Sequence, residues 1–324
     1  MDTIKSLLVT GSNGFVGRSF LDYLSTLPIE DRPRNLGLVS RNVPPEISTD
    51  LAAHTSIIHI NADLMKPWQF DYPATHIVHL AADGSSNAYS VEAADKFVVM
   101  TDHLAIWSNG LDSPAVFHAS SGACFGYMPF DSNASEIKVE SGLSKGASVL
   151  AEKKRVFVES RLKAEHTLKM AAARGHIELR IGRLFSFIGK HLHEKPHYAV
   201  PAFINMALST KNIDIGGNPD TTRSYLSADD MSDWIYRSLQ PDVGSEILSI
   251  GSENPVTMEE LATYIASVTN STVTLLNPTI AGDYYVARNQ DTRARLLVRE
   301  TRTWQTSIDD YLAFIQEKRS DEHR

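Results

Sequence analysis

The chain has 324 residues, 42% hydrophobic and 22% charged, a composition that suits a globular protein with a large core. Thirty-one Lys and Arg stand against 39 Asp and Glu, and the net charge of −8 disfavours a nucleic-acid surface. No apolar run approaches the ~18 residues of a membrane span. The single cysteine, Cys124, excludes an internal disulfide and fits a reducing cytoplasm.

The first apolar run, Leu7 to Val9, reads as a buried strand rather than a secretory leader. It ends in Gly11, Gly14 and Gly17 at G-x-x-G-x-x-G spacing, and Phe20, Leu21 and Leu24 then recur with the period of a helix. A strand feeding a helix through such a turn offers backbone N–H groups and the positive helix end to a pyrophosphate. Gly11 allows the tight turn, Gly14 the approach of phosphate and Gly17 the packing of helix on strand, with Asn13, Phe15 and Val16 on the same turn. The reading is a dinucleotide-binding strand–turn–helix.

Further strands follow at Asn35–Ser40, Ile57–Ile60, Ile77–Leu80, Ala115–His118 and Leu179–Ile181, with helical patterns at Val91–Trp107 and Lys153–Ala173. This alternation predicts an α/β fold, a doubly wound parallel sheet whose ligands sit beyond the carboxyl ends of the strands. After Arg183 the texture changes. A loop rich in His, Lys and Pro (Gly189 to Pro201) precedes a helix at Ala202–Leu208 and a strand at Ile213–Ile215. Ile247–Ile250 reads as one more strand of the main sheet, and from Val256 come a helix, a strand at Thr272–Leu276 and a terminal helix. The expected division is a dinucleotide-binding domain over 1–185, also receiving about 225–252. A smaller α/β substrate lobe then takes 186–224 and 253–324.

Several segments recur in a known order. They are Thr10-Gly11-x-x-Gly14-Phe15-x-Gly17, Asp63-Leu64, His79-Leu80-Ala81-Ala82 and Ala119-Ser120-Ser121 to Gly126. Arg183-Leu184-Phe185 to Gly189, Arg223-Ser224-Tyr225-Leu226 to Asp230, and Gly251-Ser252 with Pro255 to Leu261 complete the set. Together they resemble the extended short-chain dehydrogenase/reductases, the group of nucleotide-sugar epimerases, dehydratases and reductases, over essentially the whole chain. The resemblance implies roles. Asp63 and Leu64 would contact the adenine, while Leu80, Ala81 and Ala82 pass the cofactor ribose and phosphates. Ser121 would hold the reacting oxygen, and Arg223 and Tyr225 would grip the nucleotide diphosphate. It also implies a homodimer through a four-helix face.

An acidic residue at the end of the second strand would hold the ribose 2′-hydroxyl of NAD. Here that place reads Val39-Ser40-Arg41, and a hydroxyl followed by a guanidinium suits a 2′-phosphate, with Arg18 as a second charge. The expected cofactor is NADP, with NAD as the alternative.

The family's Tyr-x-x-x-Lys dyad falls on Phe157 and Arg161, and no tyrosine lies between Tyr127 and Tyr198. Phe157 packs a sugar face but carries no proton. Arg161 hydrogen-bonds ribose hydroxyls but is no base. His191, two residues after Gly189, is a candidate substitute because its titration range suits acid/base work; the other reading is a surface histidine. Lys163 should point away from Arg161 on its helix, and Cys124 reads as a small core residue. Family dehydratases place an Asp-Glu pair where this chain has Gly122-Ala123, which disfavours ordinary 4,6-dehydration. Two functions remain open: an NAD(P)-dependent nucleotide-sugar epimerase, reductase or atypical dehydratase, and a catalytically silent NADP(H)-binding homologue that senses cofactor or partners an active enzyme.

Overall fold

A computed structural model describes residues 4–41, 43–82, 89–125, 128–129, 152–192, 198–244, 246–276 and 283–321. Its elements begin with β1 (Ser6–Thr10), α1 (Phe15–Thr26), β2 (Asn35–Ser40), α2 (Thr49–His54), β3 (Ser56–Asn61), β4 (His76–His79) and α3 (Val91–Ser108). They continue through β5 (Ala115–Ser121), β6 (Met128–Pro129), α4 (Glu152–Ala173), β7 (Glu178–Leu184), β8 (Phe187–Ile188), α5 (Ala199–Thr210) and β9 (Asn212–Ile215). Then come β10 (Thr222–Ser224), β11 (Leu226–Ser227), α6 (Ala228–Ser238), β12 (Glu246–Ile250), β13 (Pro255–Thr257) and α7 (Met258–Thr269). The chain closes with β14 (Thr272–Leu275), β15 (Asp283–Tyr285), α8 (Gln290–Leu296) and α9 (Trp304–Asp321).

Seven parallel strands form the main sheet in the order β3-β2-β1-β4-β5-β7-β12. The sequence runs of Leu, Ile and Val are continuous because helices cover both faces and bury every side chain of β1. One apolar core packs α1 and α6 against the sheet through Phe20, Leu24, Met231 and Trp234. A second lies under α3 and α4, through Leu104, Leu168 and Ile181. A third, separate core of Ile188, Phe203, Ile213, Leu261 and Ile308 belongs to the C-terminal elements. Smaller sheets, β13-β10-β15-β6, β11-β8 and β14-β9, stand beside the main one.

The structure extends or adds elements where local pattern misleads. The helix expected at Ala202–Leu208 begins at Ala199, upstream of Pro201, because a proline in the first helical turn loses no hydrogen bond. The sequence reading assigns no helix to 228–238, where α6 lies. Ala228, Met231, Trp234, Ile235 and Tyr236 mark its apolar face, and Asp230 and Ser232 are buried with them. Ser227 caps it by accepting from the Asp230 N–H at 3.0 Å, and Asp229 and Asp230 suit the positive end of the helix. Residues 193–197 of the expected loop, and Gly126 of the Ser121 segment, lie outside the described residues.

Two histidines are buried at the centre of the sheet. His79 on β4 and His118 on β5 are in register, with ring centroids 5.4 Å apart. His79 Nδ1 meets Thr10 Oγ1 at 2.8 Å, whereas His79 Nε2 and both His118 nitrogens have no partner among the described residues. Burial pulls His79 down to about 4 and His118 well below its ordinary value, the latter helped by His79 and Arg161.

Between pH 6.5 and about 4 the unfolded chain therefore binds protons that the folded chain refuses. Stability is whole above pH 6.5 and falls as pH drops towards 4, by about 3 kcal/mol from His79 alone. Urea midpoints between pH 7 and 4.5 should show this decline, and His118→Phe, which removes two unpartnered nitrogens beside Phe97, should make it shallower. An unchanged slope in His118→Phe would show that other groups drive the acid loss.

Candidate functional site

The glycine turn joins β1 to α1 at the carboxyl end of the sheet. Gly11 has φ +70°, a conformation that L side chains rarely adopt, and a Cβ there would lie 2.7 Å from the Leu80 carbonyl and the Ala81 nitrogen. A Cβ on Gly17 would meet the Gly11 oxygen at 2.4 Å. Gly14 differs, since its Cβ would touch only the Gly11 oxygen, at 3.4 Å, an ordinary contact. The fold itself thus requires Gly11 and Gly17, while the space beside Gly14 is free. Gly14 caps α1 with no side-chain hydrogen bond, and no acidic residue stands in the first turn. The N–H groups and positive end of the helix therefore face the opening that Phe15 and Val16 flank. The Ser12 hydroxyl, fully buried beneath the turn, has no partner among the described residues.

Around this opening the predicted residues spread along the strand ends. Asn13 donates to the Val43 carbonyl at 2.7 Å, which ties the turn to the segment after β2. Arg41 is exposed just past the end of β2, and Arg18 faces Glu46 at 3.6 Å. Leu80 donates its N–H to Thr10 at 3.2 Å, so that Leu80, Ala81 and Ala82 run along the turn; Ala82 is exposed. Leu64 is buried, and Asp63 is exposed with its carboxylate accepting from the Met65 N–H at 3.1 Å.

Ser121 ends β5, in register with Leu184 of β7. Beneath it Ser120 donates to Glu165 at 2.6 Å, and Arg183 grips the same carboxylate with two hydrogen bonds of 3.0 and 2.8 Å. Glu165 is 1% exposed. This buried pair holds α4 to the ends of β5 and β7. Cys124 is buried, its sulfur 3.6 Å from the Ser120 hydroxyl, and burial pushes its thiol up to about 11.

Phe185 forms the floor of the region. A Cβ on Gly122 would lie 2.7 Å from its ring, and one on Gly251 2.7 Å from its Cβ. The acidic pair that dehydratases carry after the hydroxyl thus has no room at Gly122. The Phe185 ring packs on Tyr285, centroids 4.8 Å apart.

β15 brings Tyr285 in register with Arg223 of β10. The Tyr285 hydroxyl donates to the Leu184 carbonyl at 3.4 Å, and Leu184 is the register partner of Ser121, which pulls the Tyr285 phenol down against burial. The sequence reading missed Tyr285. It lies far from Ser121 along the chain, on a strand of three residues with no periodic pattern to mark it. Arg223 pairs with Asp283 at 2.6 Å, and its guanidinium stands 5.9 Å from the Tyr285 ring. Tyr225, two residues on, is buried in the C-terminal core, and burial pushes its phenol up to about 12.

Arg161 is stacked between two aromatic rings, 3.7 Å from the centroid of Phe97 and 4.1 Å from that of Phe157. Burial pulls its guanidinium down to about 10, which leaves it protonated at neutral pH. Tyr89, which the sequence reading also missed, packs on the far side of Phe157 at 5.1 Å. Lys163 is exposed, as its helical position predicts.

His191 is engaged with α1. Its Nε2 is 2.6 Å from Asp22 on α1, and Lys190 reaches the same carboxylate at 2.9 Å. An acidic side chain two turns along α1 captures the ring, so the structure ties His191 to that helix and not to Ser121.

The sequence model described as "NAD dependent epimerase/dehydratase family" matches residues 7–251. A UDP-N-acetyl-alpha-D-glucosaminuronate decarboxylase from Bacillus cytotoxicus is 29% identical over 108 residues, a match spanning about a third of each protein: 33% of this chain and 34% of the decarboxylase. Among solved structures, MoeE5 in complex with UDP-glucuronic acid and NAD superposes with TM-score 0.76 at 19% identity, covering 97% of this chain and 99% of that one. The UDP-N-acetylglucosamine 4-epimerase from Methanobrevibacter ruminantium M1, in complex with UDP-N-acetylmuramic acid, gives 0.78 at 17% identity, covering 98% and 100%. The glycine turn and the seven-stranded sheet both fall within the matched segment, and the chain belongs to the NAD dependent epimerase/dehydratase family.

Proposed function

We propose that this chain is an enzyme that binds a nicotinamide dinucleotide beside a nucleoside diphosphate sugar and changes the oxidation state of a sugar carbon. One observation carries the reading: β10 and β15 set Arg223 and Tyr285 at the end of β5 where Ser121 stands, so substrate-type and hydroxyl-bearing groups converge. The region beside Gly14, free of side chain and facing an uncapped helix end, fits a dinucleotide pyrophosphate. Gly11, Asn13, Gly14, Phe15, Val16 and Gly17 would hold it, with Leu80, Ala81 and Ala82 along the ribose and Asp63 and Leu64 near the adenine. The bound nicotinamide supplies or accepts a hydride. Ser121 would orient the reacting oxygen, Arg161 the ribose hydroxyls, and Arg223 with Tyr225 the diphosphate end of the substrate.

On the choice of dinucleotide, the exposed Arg41 after Ser40 supports NADP. Against it, Glu46 already engages Arg18, and the structural neighbours are NAD complexes. We take NAD as the cofactor, and parallel titration with both dinucleotides tests the choice. We also read 1–185 with about 225–252 as the dinucleotide-binding part, and 186–224 with 253–324 as the substrate lobe. The separate C-terminal core supports that division. Among the described residues no helix is long and apolar enough to cross a membrane. We place the protein in the cytoplasm as a homodimer through α3 and α4, a reading supported by the exposed apolar residues Val91, Ile106 and Met170 on that helix pair.

The second reading is a silent dinucleotide-binding homologue, and the replacement of a Tyr/Lys dyad by the stacked Phe157 and Arg161 favours it. Absorbance at 340 nm and product mass, with NAD(H) or NADP(H) and a panel of UDP- and dTDP-sugars, should show turnover. Dinucleotide binding without turnover across the panel would favour the silent homologue. For an active protein, Phe157→Tyr with Arg161→Lys should lower the rate, because both residues fit the present stack; a rise would mark a decayed site. Gly14→Ala should keep the thermal midpoint within about 2 °C yet weaken dinucleotide binding at least tenfold. Gly17→Ala should cost about 1–3 kcal/mol of stability by overpacking. Equal dinucleotide affinity in Gly14→Ala and wild type would contradict the pyrophosphate assignment.

A further inference from the structure

Around Ser121 the described side chains are donors. Ser121 and Tyr285 carry hydroxyls, and the Cys124 thiol is held protonated by burial. Arg161 is protonated between its two rings, and Phe157 carries no exchangeable hydrogen. Among the described carboxylates, Glu165 beneath the site is engaged by Arg183 and Ser120, and Asp283 by Arg223. Removing the proton of a sugar hydroxyl during oxidation calls for a base, and none of these groups is free to act as one at neutral pH. A carbonyl oxygen is the complementary partner, because it accepts hydrogen bonds and gains a proton as it is reduced.

We propose that Tyr285 supplies the phenol that position 157 lacks, and that with Ser121 it donates a proton to the carbonyl oxygen of a nucleoside diphosphate keto sugar. The assignment rests on the reading of this site as one for nucleotide sugars. Tyr285 is the better placed of the two nearby phenols. Its ring is fixed on Phe185, its strand is in register with Arg223 and its hydroxyl reaches the carbonyl of Leu184, the register partner of Ser121. Tyr89 packs on Phe157 and is 48% exposed. Burial pushes the Tyr285 phenol above the ordinary tyrosine range, against the pull of Ser121 and Arg223, so it gives up its proton only to a stronger base, the alkoxide-like oxygen that develops as the carbonyl is reduced. The reductant is the reduced dinucleotide. As the carbonyl carbon takes the hydride and its electron pair, the C=O π pair moves to oxygen. That oxygen forms its new O–H bond with the proton of Tyr285 Oη, whose O–H pair stays on the phenolate. A proton from water then restores the phenol.

The test uses the full chain, UDP-4-keto-6-deoxyglucose as the probe and UDP as its reference. Wild type should oxidise NADH or NADPH with the probe and give a product two hydrogens heavier. Tyr285→Phe keeps the ring on Phe185 and should leave the thermal midpoint unchanged. It should lower kcat by about 100-fold or more with KM changed less than about threefold. By calorimetry Tyr285→Phe should bind the probe up to about tenfold more weakly, with UDP affinity unchanged. Tyr284→Phe, on the exposed neighbour, should behave as wild type. If wild type binds the probe but does not reduce it, the loss of probe affinity alone still supports the Tyr285 contact, while the enzyme reading falls. Wild-type turnover in Tyr285→Phe, an unchanged ratio of probe to UDP affinity, or a loss found only in Tyr89→Phe would overturn the assignment. Failure of wild type to bind either UDP or the probe would overturn the nucleotide-sugar reading, and this assignment with it.

Discussion

Glu165 holds the carboxyl ends of β5 and β7 together from within α4. It is almost fully buried, accepts two hydrogen bonds from Arg183 and one from Ser120, and has no better partner to exchange for. Removing one member of such a pair strands the other in a low-dielectric interior, at a cost of about 3–5 kcal/mol. Everything placed at this end of the sheet depends on that bond. Ser121 follows Ser120 directly, the Arg183 guanidinium lies over Phe125 at 4.5 Å, and Phe185, two residues after Arg183, forms the floor. The backbone that carries Ser121 is therefore anchored by a charge pair, and its hydroxyl accepts from the Ala123 N–H at 3.2 Å.

Phe185 converts that rigidity into shape. Its side chain presses on Gly122, Gly251 and Tyr285, so position 122 has no space for an acidic side chain and the C-terminal strand β15 is held beside the main sheet. The same packing explains how a chain with Phe157 and Arg161 keeps an ordered site. Arg161 is held by π-faces on both sides, an arrangement that a planar guanidinium satisfies and an ammonium does not. Aromatic packing holds Arg161 and Phe157, and the Tyr285 phenol comes to the ends of β5 and β7 from another element.

Much of this was legible in the sequence. Leu7–Val9 and the three glycines announced β1, the turn and α1, because a buried strand and a close helix leave few alternatives to glycine at positions 11 and 17. The alternation of apolar runs announced the parallel sheet, and the altered residues 157 and 161 were visible as soon as the motif was aligned. Less legible were α6, whose buried face includes Asp230 and Ser232, and the two- and three-residue strands β8, β10, β11, β13 and β15, too short to show a period. The partner of His191 was also not legible, because a histidine in a polar loop carries no local sign that an aspartate on α1 will bind it.

By itself, then, the sequence determined the fold class and the strand–turn–helix at Gly11, Gly14 and Gly17, since each follows from residue type at short range. The tertiary structure alone decided which groups surround Ser121. It tied His191 to Asp22, closed Gly122 against Phe185, engaged Glu165 with Arg183 and brought Tyr285 across from the far end of the chain. Those are contacts between side chains distant in sequence, chosen by packing and by the need of buried charges for partners, and no local pattern of residues encodes them.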